Sequence, residues 1–153
     1  MKKRIVIKFG GTSVGSIEKI INAAKIVKKR HEEGSQVIAV VSAMAGVTND
    51  LISKSNQISK NFNKPELDVL MSSGEQVTCS LLSGALIELG LKARSWLSWQ
   101  IPIITNDNYT SSQIIKIKTD EILDFVSVNL YFSPETFAQK KLGGFFLLKP
   151  FLK

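Results

Sequence analysis

Residues 4–15 read RIVIKFGGTSVG. Six mostly apolar residues, 4–9, have the composition of a strand and run straight into Gly10 and Gly11. Thr12, Ser13 and Gly15 follow, and then an amphipathic helical pattern. A strand, a tight glycine turn and a helix N-terminus make a place to hold an anion. Backbone N–H groups point outward there, and the helix dipole adds positive potential. Lys8, two positions before the first glycine, brings a formal charge to the same end. The order differs from the usual P-loop, in which the lysine follows the glycines, and from G-x-G-x-x-G. Two readings of Lys8 stand. It reaches across to phosphates held by the Gly10 and Gly11 amides, or it lies near the strand end with its ammonium in water. Burial on both faces of a sheet would be costly for it unless paired.

Outward from this stretch, Ser16 can cap a helix carrying Ile17, Ile20, Ile21, Ala24 and Val27 at helical spacing. Lys25, Lys28, Lys29 and Arg30 fall largely outward, the last turn is basic, and Gly34 supplies the stop. Residues 36–42, QVIAVVS, are apolar on both faces and read as a buried parallel strand. Strand, helix and strand within about 40 residues form a βαβ unit. Residues 43–48, AMAGVT, form a small-residue loop at the carboxyl end of the second strand. Asn49 or Asp50 is expected to cap the next helix, with Leu51, Ile52, Ser55 and Ile58. Pro65 suits the first turn of a helix over 66–72. Ser72-Ser73-Gly74 is expected to interrupt it before a second helix, 75–89, with Val77, Leu81, Leu82, Ala85 and Leu89 inward and Gly90 as stop. A short strand over 92–96, an irregular polar stretch over 98–112, a strand over 114–118 and a helix starting at Thr119 complete this part.

The 153 residues suffice for one domain with a real core, and 44% hydrophobic with 22% charged residues is ordinary for a globular chain. No run reaches the roughly 18 apolar residues of a membrane span. The charged-then-apolar start is too short for a signal peptide and is broken by Lys8, so the expected location is cytoplasmic, with no membrane partner. One cysteine, Cys79, excludes an internal disulfide framework and a cysteine-built metal site. The net charge of +7 is spread over helix faces rather than clustered with aromatics, so it is read as a solvated surface and not as a nucleic-acid site.

Two further stretches could carry chemistry. Residues 41–48, VSAMAGVT, lie at a strand's carboxyl end, where open α/β sheets bind ligands. If the first two strands pair, Ser42 and Thr48 stand beside the glycine turn; otherwise this is an ordinary loop-to-helix cap. Residues 72–75, SSGE, place Glu75 where a helix starts at a pocket wall, or where a carboxylate simply favours the dipole.

Together, KFGGTSVGS (8–16), VVSAMAGVTNDL (40–51), LMSSGEQVTCSLLSGAL (70–86) and ARSWLSWQIPIITNDNY (93–109) resemble the N-terminal half of an aspartokinase, an enzyme of the amino-acid kinase superfamily. The resemblance covers roughly residues 3–125. It implies an α/β fold, an open and mostly parallel sheet with helices on both faces, of the carbamate kinase-like kind and truncated here. It implies transfer of a phosphoryl group from ATP, with Mg²⁺, to L-aspartate, giving 4-phospho-L-aspartate and ADP. That is the first step of the lysine, threonine, methionine and diaminopimelate pathway. By the same resemblance, Lys8 contacts the transferring phosphoryl group, Gly10 and Gly11 cradle phosphate, and Ser42 lies on the nucleotide side. Thr48 and Glu75 hold aspartate, Glu75 at its α-ammonium. No metal ligand is assigned. The full-length family implies a homo-oligomer.

At about residue 126 the text changes. The stretch 126–153 holds five of the eight phenylalanines and two of the four prolines, without a clean period. It is read as a divergent tail of unknown structure, from a reading-frame change or a truncation, with part of it (126–132) able to pair as a strand. The family's G-R-G-G-S-D stretch has no counterpart in KLGGF (141–145). The alternative to an active enzyme is therefore a catalytically inactive remnant that at most binds aspartate or phosphate. A truncated sheet is also expected to expose an edge and apolar faces, and so to be poorly stable or to associate.

Overall fold

The computed structural model describes residues 3–97, 100, 103–117, 130–134, 137–139 and 145–147. The expected start of the chain is observed: β1 (Arg4–Phe9), α1 (Ile17–Glu32) and β2 (Gln36–Val41). β1 and β2 pair in parallel with Phe9 opposite Val41, so their carboxyl ends are level. Then come α2 (Val47–Ile58), α3 (Lys64–Glu88), β3 (Ala93–Ser95), β4 (Ile103–Thr105), β5 (Ile114–Ile117), β6 (Leu130–Pro134), β7 (Phe137–Gln139) and β8 (Phe145–Leu147). The main sheet has the order β1-β2-β6-β3, parallel throughout. β4–β5 and β7–β8 are antiparallel pairs.

Local signals account for the ends of α1. Ser16 Oγ accepts the Lys19 N–H at 3.2 Å, and Lys29, Arg30 and His31 fill the last turn. Gly34, just past the helix, takes φ +90°, a left-handed value that glycine adopts without strain. One face of the sheet is well covered. Phe9, Val37, Ala39 and Val41 pack with Ile20, Ala24 and Val27 of α1 and Cys79, Leu82 and Leu86 of α3. Burying each large side chain of this set, such as Leu82 or Ile20, contributes about 1.5–3 kcal/mol. Along β1 burial alternates, and the residues pointing away from this core, Val6 and Lys8, are exposed. Val6 keeps 67% of its surface in solvent.

The helical region departs from expectation in three ways. First, α3 is one helix of 25 residues and is not interrupted at Ser72-Ser73-Gly74. The Ser72 and Ser73 hydroxyls donate to the Val69 and Leu70 carbonyls within the helix, a bond that tolerates helical backbone. Second, Val77 and Leu81 face outward, Val77 at 54% exposure. The buried line is instead Asp68, Ser72, Glu75, Cys79, Leu82 and Leu86, at spacings of four and three. Its first half is polar and its second half apolar; of the expected inward residues Leu82 is buried and Ala85 and Leu89 pack partly buried against the core, so apolar spacing located the C-terminal half of the buried face and not the polar half. Third, α2 starts at Val47, with Gly46 rather than Asn49 or Asp50 as its cap, and Ile58 is exposed.

Smaller differences concern the strands. β3 matches the expected short strand, and β5 the strand over 114–118. β4 lies inside the stretch read as irregular, with a register shift between Ile104 and Thr105. β6 overlaps the expected strand over 126–132 at residues 130–132; residues 126–129 and the helix expected from Thr119 lie outside the described residues.

Candidate functional site

The glycine turn closes on itself and on the loop after β2. Ser13 N–H donates to Gly10 O at 2.8 Å, making the turn that the glycines announce. Ser42 N–H donates to Phe9 O at 3.2 Å, and Ala45 N–H donates to Gly11 O at 3.1 Å. These bonds bring the turn and the loop 42–46 edge to edge. The approach is close enough that a Cβ at Gly11 would lie 2.7 Å from Ala43 O. Lys19, one turn into α1, donates its Nζ to Thr12 O at 2.8 Å and ties the helix back to the turn.

Gly46 takes φ +87°, and α2 begins there without a side-chain cap. Asp50 N–H bonds the Gly46 carbonyl instead. Thr48, half-buried, stands in the first turn of this helix, beside the loop.

Glu75 comes to the same place from α3. Its Oε1 accepts the Ala43 N–H at 3.2 Å, and the residue is 9% exposed. Oε2 is buried and has no hydrogen-bond partner among the described residues. Burial raises the carboxyl pKa above its ordinary 4.5, and the backbone N–H groups of Ala43 and Glu75 itself offset part of that rise. Gly74 permits the approach. A Cβ there would lie 2.9 Å from Ala43 Cβ and 3.2 Å from Val47 Cγ1. Ala43 is thus a hub: its carbonyl meets Gly11, its N–H meets Glu75 and its methyl meets Gly74.

The structure therefore brings Gly10, Gly11, Ser42 and Glu75 around one loop, with Thr48 at the loop's exit. Lys8 belongs to the same strand end but projects from the face that α1 and α3 leave open, level with Val40. It is exposed, so the cost of burying it on both faces does not arise. Sequence reasoning missed Ala43, Lys19 and the cap at Gly46. It noticed Gly74, but as a break. The run of small residues AMAG was the available signal, since two backbones in contact need small side chains between them. Among the described residues, no group of three or more His, Cys, Asp or Glu stands together as a metal site, and no helix is long and apolar enough to cross a membrane.

Comparison with known proteins bears on the family and the fold. An aspartokinase of Rickettsia felis is 46% identical over 128 residues, which are 82% of this chain and 32% of that protein. This chain thus spans about a third of the length of that curated relative. The crystal structure of an aspartate kinase from Synechocystis superposes with a TM-score of 0.77 at 30% identity, over 97% of this chain and 24% of that one. E. coli aspartokinase III superposes with a TM-score of 0.81 at 19% identity, over 97% of this chain and 44% of that one, which supports the fold. The parallel sheet and its helices are those of the amino-acid kinases. The sequence model described as the amino acid kinase family matches residues 3–135, so the glycine turn, the Ala43 loop and Glu75 all lie within the match, and the chain belongs to that family.

Proposed function

We propose that this chain carries the phosphoryl and acceptor side of an aspartokinase, which converts ATP and L-aspartate to 4-phospho-L-aspartate and ADP. The observation that carries this reading is the Ala43 hub, which joins the glycine turn to a buried carboxylate with an open oxygen. An amino acid offers an ammonium for such an oxygen and a side-chain carboxylate for transfer. E. coli aspartokinase III, which shares the fold, was solved with aspartate and ADP.

In this reading Glu75 binds the α-ammonium of L-aspartate through Oε2, and Thr48 adds a hydroxyl at the first turn of α2. The substrate's side-chain carboxylate is ionised at neutral pH, so attack needs no general base. Gly10 and Gly11 amides hold the transferring phosphoryl group, Ser42 stands on the nucleotide side, and Lys8 neutralises charge on the in-flight oxygens. Mg²⁺ supplies charge neutralisation when the nucleotide brings it; no described residue is assigned to it. The protein is read as a cytoplasmic homo-oligomer, with residues 1–125 as the N-terminal part of the kinase domain and 126–153 as a divergent stretch, of which β6 pairs within the main sheet.

A second reading is supported by the chain's span of about a third of its relative. In it the chain binds aspartate or phosphate without turnover. Calorimetric titration of L-aspartate tests what both readings share. Binding that is lost in Glu75→Gln supports the acceptor assignment, and the absence of any binding heat at millimolar L-aspartate sinks it.

A further inference from the structure

The buried line of α3 begins with Asp68, a fully buried acidic residue two turns before Glu75. Its Oδ2 accepts the Thr110 N–H at 3.0 Å, across 42 positions of sequence. Thr110 has φ +63°, the sole positive value at a non-glycine position among the described residues. Such a conformation is strained for a residue that carries a Cβ and persists only where surrounding contacts impose it. The loop around it, 106–113, also carries bonds of its own. Asn106 Oδ1 accepts from Gln113 N–H at 3.0 Å, and the Ser112 hydroxyl donates to Asn108 O at 2.8 Å.

The direction of α3 says where this loop stands. Leu82 and Leu86 pack on the sheet core, and Glu75 meets Ala43 just past the carboxyl end of β2. Asp68 is a further seven residues on, about 10 Å along the helix. It therefore lies beyond the carboxyl edge of the sheet, on the side where ligands of open α/β sheets bind. Each element that the Asp68–Thr110 bond joins also buries a polar atom with no partner among the described residues. These are Glu75 Oε2 on α3 and Thr105 Oγ1 at the foot of the loop.

We propose that Asp68 is a positioning residue that holds Thr110 in its left-handed conformation and so fixes loop 106–113 as a wall of the acceptor pocket. As a statement about L-aspartate it rests on the function proposed above; as a statement about the loop it does not. Asp68 touches no substrate and acts through Thr110.

Amide exchange and an L-aspartate titration, both followed by NMR on the full labelled chain, test this. In Asp68→Ala, exchange at the Thr110 N–H is expected to speed up about tenfold or more, the loss of one buried hydrogen bond, while Leu82 and Leu86 amides stay protected. L-Aspartate affinity should fall by about tenfold by the same reasoning. Adding Thr110→Gly, which takes positive φ without strain, should restore part of that affinity. Asp68→Asn keeps an acceptor and should lie between wild type and Asp68→Ala, which keeps the test alive should the alanine variant not fold. Unchanged Thr110 exchange overturns the proposal. So does equal affinity in wild type and variant, or a weakening that Thr110→Gly does not relieve. Should the wild-type chain bind no L-aspartate, the acceptor reading fails, and the exchange result alone carries or overturns the anchor.

Discussion

Glu75 Oε1 accepts the Ala43 N–H at 3.2 Å, linking the middle of α3 to the loop after β2. The bond satisfies one oxygen of a buried carboxylate and leaves the other open. Burial is the larger influence on this group and raises its pKa above 4.5. The folded chain thus holds the Glu75 proton more tightly than the unfolded chain does. Its contribution to stability is full below about pH 4.5, the unfolded value, and is lost as pH rises through the raised folded value. Glu75→Gln mimics the protonated form. It is expected to raise the unfolding midpoint at pH 7 and to flatten the dependence of stability on pH above 4.5. Urea titrations of both chains across pH 4–8 check this; a midpoint that falls in the variant at pH 7 contradicts it.

The same ionisation links to binding. An ammonium at Glu75 Oε2 favours the charged carboxylate, so L-aspartate should bind more tightly as pH rises through the raised Glu75 value, with proton release below it. Calorimetry in two buffers of different ionisation heat measures the released protons. No buffer dependence in that range is the contrary result.

Gly11→Ala and Gly10→Ala differ by one position and should differ widely in effect. The new Cβ at 11 meets Ala43 O at 2.7 Å, backbone against side chain, whereas the one at 10 meets nothing within 4 Å. Forcing the turn and loop apart is expected to cost about 1–3 kcal/mol at Gly11 and well under that at Gly10. Chemical denaturation of the two variants tests the contrast, and equal midpoints refute it.

Gly74→Ala and Gly84→Ala lie on one helix and should move stability in opposite directions. Alanine gains about 1 kcal/mol over glycine in a helix interior. At 84 there is open space and the gain stands. At 74 the new methyl sits 2.9 Å from Ala43 Cβ, with Val47 and Leu51 behind it. Overpacking of about 1–3 kcal/mol then outweighs the gain. Thermal melts of both variants decide the matter, with a stabilised Gly74→Ala as the adverse result.

How much of this was legible in the sequence depends on what each residue's neighbours are. β1, α1 and β2 were readable because local signals agree: apolar alternation or runs, a serine cap and a glycine stop. The glycine turn and the Ser42 loop were placed together because parallel strands level their carboxyl ends. The helix α3 was misread because its buried face is half polar. Glu75 and Asp68 are inward for reasons that lie 32 and 42 positions away in sequence, in Ala43 and Thr110, and no local period reveals them. Gly74 looked like punctuation and is a contact. The family resemblance supplied Glu75 and Thr48; the Ala43 hub that makes sense of Glu75 came from geometry.

Val6, Ile26, Val77 and Ile87 are each about half exposed or more. The chain should associate as concentration rises, burying some of these residues. Sedimentation velocity from micromolar to hundreds of micromolar measures it, and Val6→Lys should reduce it. A monomer across that range, in wild type, runs against the expectation.

The central claim, phosphoryl transfer to the aspartate side chain, is tested most directly by trapping the product. With saturating ATP, Mg²⁺ and L-aspartate, hydroxylamine should convert 4-phospho-L-aspartate to aspartyl hydroxamate, at a rate that disappears in Lys8→Ala. No hydroxamate from the wild-type chain under conditions where L-aspartate binds would contradict catalysis and leave only a binding site.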